Sequence, residues 1–256
     1  MSVRTAIHRL LPPPEVDPPS PRTADGLSQT ELTTLYERTD GPRLRMNFVA
    51  SLDGAVSVDG LSEGLSGEPD KRVFRLLRML CDGLLVAAGT VREEGYRALR
   101  LDERRRAWRT ERGLPAYPTL VVVSGSLALD PGQAAFADAP VRPIVLTHDA
   151  AVPPPGLTDV VDLLRCGTDR VDLAAGLVEL RRRGLGQVLC EGGPRLFGAL
   201  TAADLVDEVC LTVSPLLAGP GAGRITAGEE TLPRRLPLRH VLGADDGTLL
   251  LRYARD

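Results

Sequence analysis

Val188-Leu189-Cys190-Glu191-Gly192-Gly193-Pro194-Arg195-Leu196-Phe197 is the stretch that decides the fold. An apolar run enters a double glycine. Pro194 then stands where a helix takes its first turn, a position that needs no N–H. A strand joined to a helix by a tight turn is the basic joint of an α/β protein. The free N–H groups and positive dipole of the helix start suit a phosphate, although the spacing is not that of a G-x-G-x-x-G loop. A plain strand-to-helix turn would use the same residues. Glu191 is the odd member, because a carboxylate that closes an apolar strand at a cleft reads as a hydrogen-bonded ligand hook or a proton donor.

Working outward, apolar runs alternate with helical stretches. Strands are predicted at 44–51, 83–88, 119–124, 143–147, 160–163, 187–190 and 208–215. Several are apolar almost throughout, as strands buried on both faces of a parallel sheet are. Helices are predicted at 70–81, 170–183 and 194–202. In the second, Val171, Ala174, Ala175, Val178 and Leu185 share a face, Arg181 to Arg183 suit the negative end of the dipole, and Gly184 ends it. The tail reads as two strands that turn at Asp246-Gly247. The expected fold is one mostly parallel sheet with an antiparallel C-terminal hairpin, wrapped by helices. Residues 102–113, rich in arginine, read as a solvated polar helix or loop, or else as a phosphate-contacting lid.

The first 27 residues hold Pro12, Pro13, Pro14, Pro18, Pro19 and Pro21 and read as an irregular arm. The ordered domain is expected over 28–256, opening on a capping box at Ser28-Gln29-Thr30-Glu31. The chain of 256 residues is 43% apolar with a formal net charge of −3. This excludes a globally basic nucleic-acid binder. No apolar run approaches the roughly 18–20 residues of a membrane span, and residues 1–21 lack the apolar core of a secretory signal. The four cysteines, Cys81, Cys166, Cys190 and Cys210, lack metal-site spacing and read as free thiols in a reducing cytoplasm.

Two further segments end strands where open α/β sheets bind ligands. Asn47-Phe48-Val49-Ala50-Ser51-Leu52-Asp53-Gly54 runs from an apolar strand into an Asp-Gly turn. If the strand stays regular, positions 47, 49, 51 and 53 share one side, which places Asn47 beside Asp53 at the cleft mouth. Val86-Ala87-Ala88-Gly89-Thr90-Val91 ends at a glycine and a hydroxyl; Gly89 allows close approach of a ligand, and Thr90 can cap a helix or meet a cofactor amide.

Together these motifs resemble the C-terminal reductase domain of the riboflavin-pathway deaminase-reductase and its stand-alone relatives. The resemblance covers about residues 42–254. It rests on Ser51-Leu52-Asp53-Gly54, Gly89-Thr90-Val91, Glu191-Gly192-Gly193-Pro194, and Leu205-Val206-Asp207-Glu208 leading to Ser214-Pro215-Leu216-Leu217-Ala218-Gly219. It implies a three-layer dihydrofolate-reductase-like fold and a 5-amino-6-(5-phosphoribosylamino)uracil reductase-like enzyme. Its substrate would be a ribosylamino-pyrimidine 5′-phosphate, NADPH would be the hydride donor, and a homodimer is expected. Carried onto this chain, Glu191 and Arg78 face the substrate and Ser62 binds its phosphate. Ala50, Thr90 and Glu94 lie along the cofactor, with the nicotinamide near Ala50. Gly192, Gly193, Pro194, Arg195, Leu196 and Phe197, with the helix on to Ala199, cradle the pyrophosphate, and Ser124 is a candidate for the adenosine end. Asp53 or Glu191 supplies or relays the proton. The apolar run 209–213, expected near the sheet edge, is a second reason to expect a dimer.

The zinc deaminase signature of the bifunctional relatives is absent. The chain also departs from the reductase pattern. Asn47 stands for a usual lysine, Gly64 for a usual tryptophan, and Glu94 for an aspartate. An asparagine can hydrogen-bond the sugar end but cannot protonate it. A same-fold reductase of a pterin, dihydrofolate or other heterocycle, and a non-catalytic nucleotide-binding protein, therefore remain alternative readings.

Overall fold

The computed structural model describes residues 5–12 and 26–255. In chain order the elements begin β1 (Ile7–Leu11), α1 (Gln29–Leu35), β2 (Arg43–Ala50), α2 (Glu68–Leu80), β3 (Gly83–Ala87), α3 (Ala88–Glu93), α4 (Glu103–Thr110), β4 (Thr119–Val123) and α5 (Ala134–Ala137). They continue β5 (Ile144–Thr147), α6 (Leu157–Val160), β6 (Asp162–Arg165), α7 (Leu173–Arg182), β7 (Gln187–Cys190), α8 (Pro194–Ala202), β8 (Glu208–Val213), β9 (Leu238–Ala244) and β10 (Leu249–Ala254). The strands form one sheet in the order β1-β9-β10-β8-β2-β7-β3-β4-β5-β6. From β8 to β6 every neighbouring pair is parallel. β10, β9 and β1 add antiparallel strands at the other end.

Two cores flank the sheet. On one face Leu32 of α1, Val73, Leu76, Leu77 and Leu80 of α2, Val91 of α3 and Phe136 of α5 pack on Leu84, Val86, Leu120 and Val122. On the other, Leu177 and Leu180 of α7 and Leu196, Phe197 and Leu200 of α8 pack on Leu85 and Val121. Adjacent residues of β3 and β4 thus feed opposite cores. That is why these strands are apolar without alternation, each buried leucine or valine contributing about 1.5–3 kcal/mol.

The Ser28–Glu31 capping box forms as expected, and the hairpin turns at Asp246-Gly247, with Gly247 at φ 87°. Several expectations need correction. Residues 7–11 of the supposed irregular arm are a strand: β1 pairs with β9 and buries Ile7. The proline runs beside it masked a short apolar segment; residues 13–25 lie outside the described residues. β8 is not near an edge but lies between β2 and β10, so both of its backbone edges are paired, while Val209, Leu211 and Val213 on one face stay half-buried. Residues 157–160 are helical, and the strand follows at Asp162. α7 buries Gly176, Leu177 and Leu180 instead of the Ala174–Val178 side, and Val178 is 45% exposed. Its rotation is set by a close approach: a Cβ on Gly176 would meet Leu146 Cδ2 at 2.5 Å. In the arginine-rich segment, Arg109 is fully buried. It donates to the carbonyls of Met79, Cys81 and Pro115 and so caps the end of α2.

Candidate active site

The upper ends of β2 and β7, helix α2 and residues 90–98 enclose a cleft of about 560 Å³. Its walls bring together Asn47, Ser62, Arg78, Thr90, Glu94, Glu191, Gly193 and Pro194, residues from five separate segments of the chain.

Glu191 follows β7, tied by its N–H to the Leu85 carbonyl at 3.1 Å. Like Leu189 it points to the α2 face, where Arg78 meets it. Arg78 Nε donates to Oε1 at 2.8 Å and Nη2 to Oε2 at 2.6 Å, and the Tyr96 hydroxyl donates to Oε2 at 2.6 Å. The Glu191 side chain is only 3% exposed. The Arg78 guanidinium also lies 4.0 Å over the Phe74 ring. Burial works most strongly against the charge of Arg78, but Glu191 and Tyr96 together outweigh it and hold the guanidinium pKa above its usual value. Burial, then Glu191, push the Tyr96 phenol well up. Glu191 therefore acts as an acceptor that fixes Arg78 and Tyr96 at the cleft wall, not as a lone acid.

Gly192 has φ 109°, and its carbonyl accepts the Ala87 N–H at 2.7 Å. At Gly193 a Cβ would come within 2.8 Å of Thr90 Oγ1. The bare surface at Gly193 leads directly into α8, whose first turn presents the N–H groups of Arg195 and Leu196. This cradle fits a dinucleotide pyrophosphate. The side chains of Leu196 and Phe197 are buried in the second core, which leaves only their backbone to face such a group. Ala50, 7% exposed, and Ser124 lie outside the cleft walls. Ser124 Oγ accepts the Leu127 N–H at 3.1 Å and closes the loop after β4. Beside that loop, at the end of β5, Thr147 Oγ1 and His148 Nδ1 are buried without a partner, an observation that fits the far end of a bound nucleotide. Gly89 sits in the first turn of α3 and does not line the cleft.

Asp53 is not in the cleft. β2 ends at Ala50, the backbone turns, and the alternation that would have carried Asp53 inward stops there. The exposed Asp53 carboxylate accepts the Ser51 hydroxyl and the N–H groups of Ala218 (3.2 Å) and Gly219 (2.8 Å), which lower its pKa to about 2. It pins the segment after β8 to the β2 turn. Ser62 and Glu94 are joined, the Ser62 N–H donating to Glu94 Oε1 at 3.1 Å. At Gly64 a Cβ would stand 3.0 Å from that of Val58, so a tryptophan there would require local rearrangement.

Sequence reasoning missed Asp70, Lys71, Tyr96 and Arg97, all of which line the cleft. Asp70 is 5% exposed; Oδ1 accepts the Thr212 hydroxyl at 2.6 Å and Oδ2 that of Ser66. Burial raises its pKa against the pull of those hydroxyls. Lys71 is the only lysine in the chain, a signal that was countable beforehand. Among the described residues no cluster of three His, Cys, Asp or Glu side chains could hold a metal ion, and no helix is long and apolar enough to cross a membrane.

Comparison with known proteins agrees with this architecture. A 2,5-diamino-6-ribosylamino-4(3H)-pyrimidinone 5′-phosphate reductase of Methanothermobacter thermautotrophicus is 28% identical over 83% of this chain and 97% of its own. The protein of the same name from Archaeoglobus fulgidus is 30% identical over 70% of this chain and 82% of its own. The crystal structure of a pyrimidine reductase-like protein from Corynebacterium diphtheriae superposes with a TM-score of 0.77 at 25% identity, covering 88% of this chain and 95% of that one. The family model of the RibD C-terminal domain matches residues 42–250, most of the chain, and the chain therefore belongs to the RibD C-terminal domain family.

Proposed function

We propose that this chain reduces a ribosylamino-pyrimidine 5′-phosphate with NADPH. The observation that carries the reading is that the Arg78–Glu191–Tyr96 assembly and the bare Gly193 surface open onto one cleft. The names of the two archaeal relatives support the substrate class. When bound, NADPH supplies the hydride, which adds to C1′ of the sugar as the ring C1′–O bond opens; one proton goes to the released sugar oxygen. The protein binds and orients. Gly193 and the first N–H groups of α8 seat the pyrophosphate, with Ala50 and Thr90 toward the nicotinamide and the Ser124 loop toward the adenosine. Ser62 takes the substrate phosphate, helped by Lys71 and Arg97. Asn47 hydrogen-bonds the sugar, and Arg78, held by Glu191, packs against the substrate. Holding the reacting atoms at near-attack distance accounts for much of the acceleration.

The test is NADPH oxidation with the ribosylamino-pyrimidine phosphate against dihydrofolate. We expect kcat/KM to favour the former by at least about 100-fold; equal or reversed preference overturns the reading. We further propose a cytoplasmic homodimer. Leu211, Val213, Leu249 and Leu251 on β8 and β10 are half-buried and join neither core, which leaves an apolar sheet face for a second copy. Light scattering that returns the 27.4 kDa of one chain rejects the dimer.

A further inference from the structure

We propose that Asp70 is the acid of the reaction: its carboxyl gives the proton that the sugar ring oxygen takes up when the C1′–O bond opens. This role rests on the reductase reading above, whose chemistry requires one proton beside the hydride.

The other groups on the cleft walls are spoken for. Asn47 has no acidic proton to give. Glu191 is taken up by Arg78 and Tyr96. Glu94 accepts the Ser62 N–H, and Glu63 and Glu93 stand in solvent. Asp70 is the remaining acid of the cleft. It is 5% exposed, and among the described residues no arginine or lysine forms an ion pair with it. The Thr212 hydroxyl on β8 donates to Oδ1 at 2.6 Å, and the Ser66 hydroxyl, just before α2, donates to Oδ2. A protonated carboxyl can accept from both and still direct its own O–H at a third group. Burial raises the Asp70 pKa and Glu191 adds to the rise, against the two hydroxyls and Lys71. That balance favours the protonated form that a donor needs. Asp246 of the tail hairpin stands near Gly67 at the helix entrance. Arg78 is matched by Glu191, and Arg97 is exposed.

Position points the same way. In the parallel β2–β8 pair, Asn47 lies opposite Cys210 and Val49 opposite Thr212. Cys210 packs into the α2 core, so alternation turns Thr212 to that face as well, beside the two β2 residues that line the cleft. Asp70, Phe74 and Arg78 follow at four-residue spacing along α2, and all three line the cleft. Arg78 stands about 12 Å further along the helix than Asp70. With the substrate phosphate at Ser62 and Lys71 and the pyrimidine against Arg78, the sugar comes beside Asp70. The ring oxygen sits between the 5′-phosphate and C1′. As the glycosylamine nitrogen pushes, the C1′–O bond breaks and its electron pair takes the Asp70 proton to give a hydroxyl. The iminium carbon left at C1′ accepts the hydride. One hydride and one proton enter, and solvent reprotonates the carboxylate.

The test is single-turnover consumption of NADPH with the ribosylamino-pyrimidine phosphate in excess. Asp70→Asn keeps the shape and can still bond both hydroxyls, but it has no proton to release. Its rate should fall about 10²–10⁴-fold. The ribityl product, by calorimetry, and NADPH, by fluorescence, should bind within about threefold of wild type. The wild-type rate should fall as pH rises through the Asp70 pKa, because only the acid form donates, and Asp70→Asn should lose that limb. Thr212→Val removes a hydrogen bond that favours the carboxylate, so its limb should move to higher pH. An Asp70→Asn rate within about threefold of wild type, or a loss that merely follows product binding, overturns the proposal. So does a limb that Thr212→Val leaves in place, a comparison that does not need Asp70→Asn to fold. These results leave the reductase reading standing. A wild-type protein that reduces no ribosylamino-pyrimidine overturns both.

Discussion

Glu191 and Glu208 are both glutamates with buried side chains, held by arginine on the same face of one sheet. Glu208, at the foot of β8, meets Arg43 at 3.4 Å, Arg45 at 2.5 Å and Arg252 at 2.8 Å, and its side chain is wholly buried. Those arginines reach further, Arg45 to the Glu37 carbonyl and Arg252 to that of Leu35, so the cluster also ties down the end of α1. Burial alone would raise the pKa of Glu208, but Arg45 and Arg252 together bring it down to about 2. Glu191, at the top of β7, has one arginine and one tyrosine, and all three line free volume. The lower cluster is closed on itself and the upper one faces a space that a ligand can fill. An acid–arginine pair is thus evidence of a site only when its surroundings are unfinished.

Breaking the lower cluster should have the largest effect. Glu208→Ala leaves three arginines around a buried gap and should cost about 3–5 kcal/mol. In a chain of this size that is a fall in Tm of roughly 10 °C. Turnover per folded molecule should stay near wild type. The pH dependence has a definite sign. The Glu208 pKa is depressed when folded, so its contribution is complete above about 4.5 and is lost as pH falls toward 2. An acid melt of wild type against Glu208→Ala should show the two curves converging over that window.

Glu191→Gln tests the upper cluster. It preserves shape but loosens Arg78, and kcat should drop about 100-fold while NADPH affinity, read by fluorescence, is retained. If its Tm falls as far as that of Glu208→Ala while turnover persists, the distinction between the clusters collapses. Tyr96→Phe removes one of the three donors to Glu191. A loss of about 1 kcal/mol, or roughly fivefold in kcat, is expected, with no change in NADPH binding. Asp53→Asn should do least. Its carboxylate holds a loop outside the cleft, so turnover within about twofold of wild type is expected; a large loss in kcat would return Asp53 to the chemistry.

Local patterns made much of this legible. The strand at Gln187–Cys190 and the helix at Pro194–Ala202 match their predicted limits because apolar run, double glycine and proline all act within a few residues. The resemblance pointed to Asn47, Ser62, Arg78, Thr90, Glu94 and Glu191 one by one, and the fold gathers them in one cleft. What stayed hidden was non-local. An aspartate in the first turn of a helix looks like an ordinary partner for the dipole, and only the fold shows that Asp70 meets Thr212, 142 residues away. The position of β8 could not be read from its own residues, because pairing with β10 depends on how the tail returns. Asp53 misled because strand alternation was extended past the end of the strand.

A single lysine also makes the molecule its own reporter. Anhydrides and activated esters that spare arginine find one side-chain amine, and it stands at the cleft wall. If a bound ligand covers Lys71, its acylation, located by peptide mapping apart from the α-amine of Met1, should fall as the cleft fills, which would record occupancy without any assay of turnover.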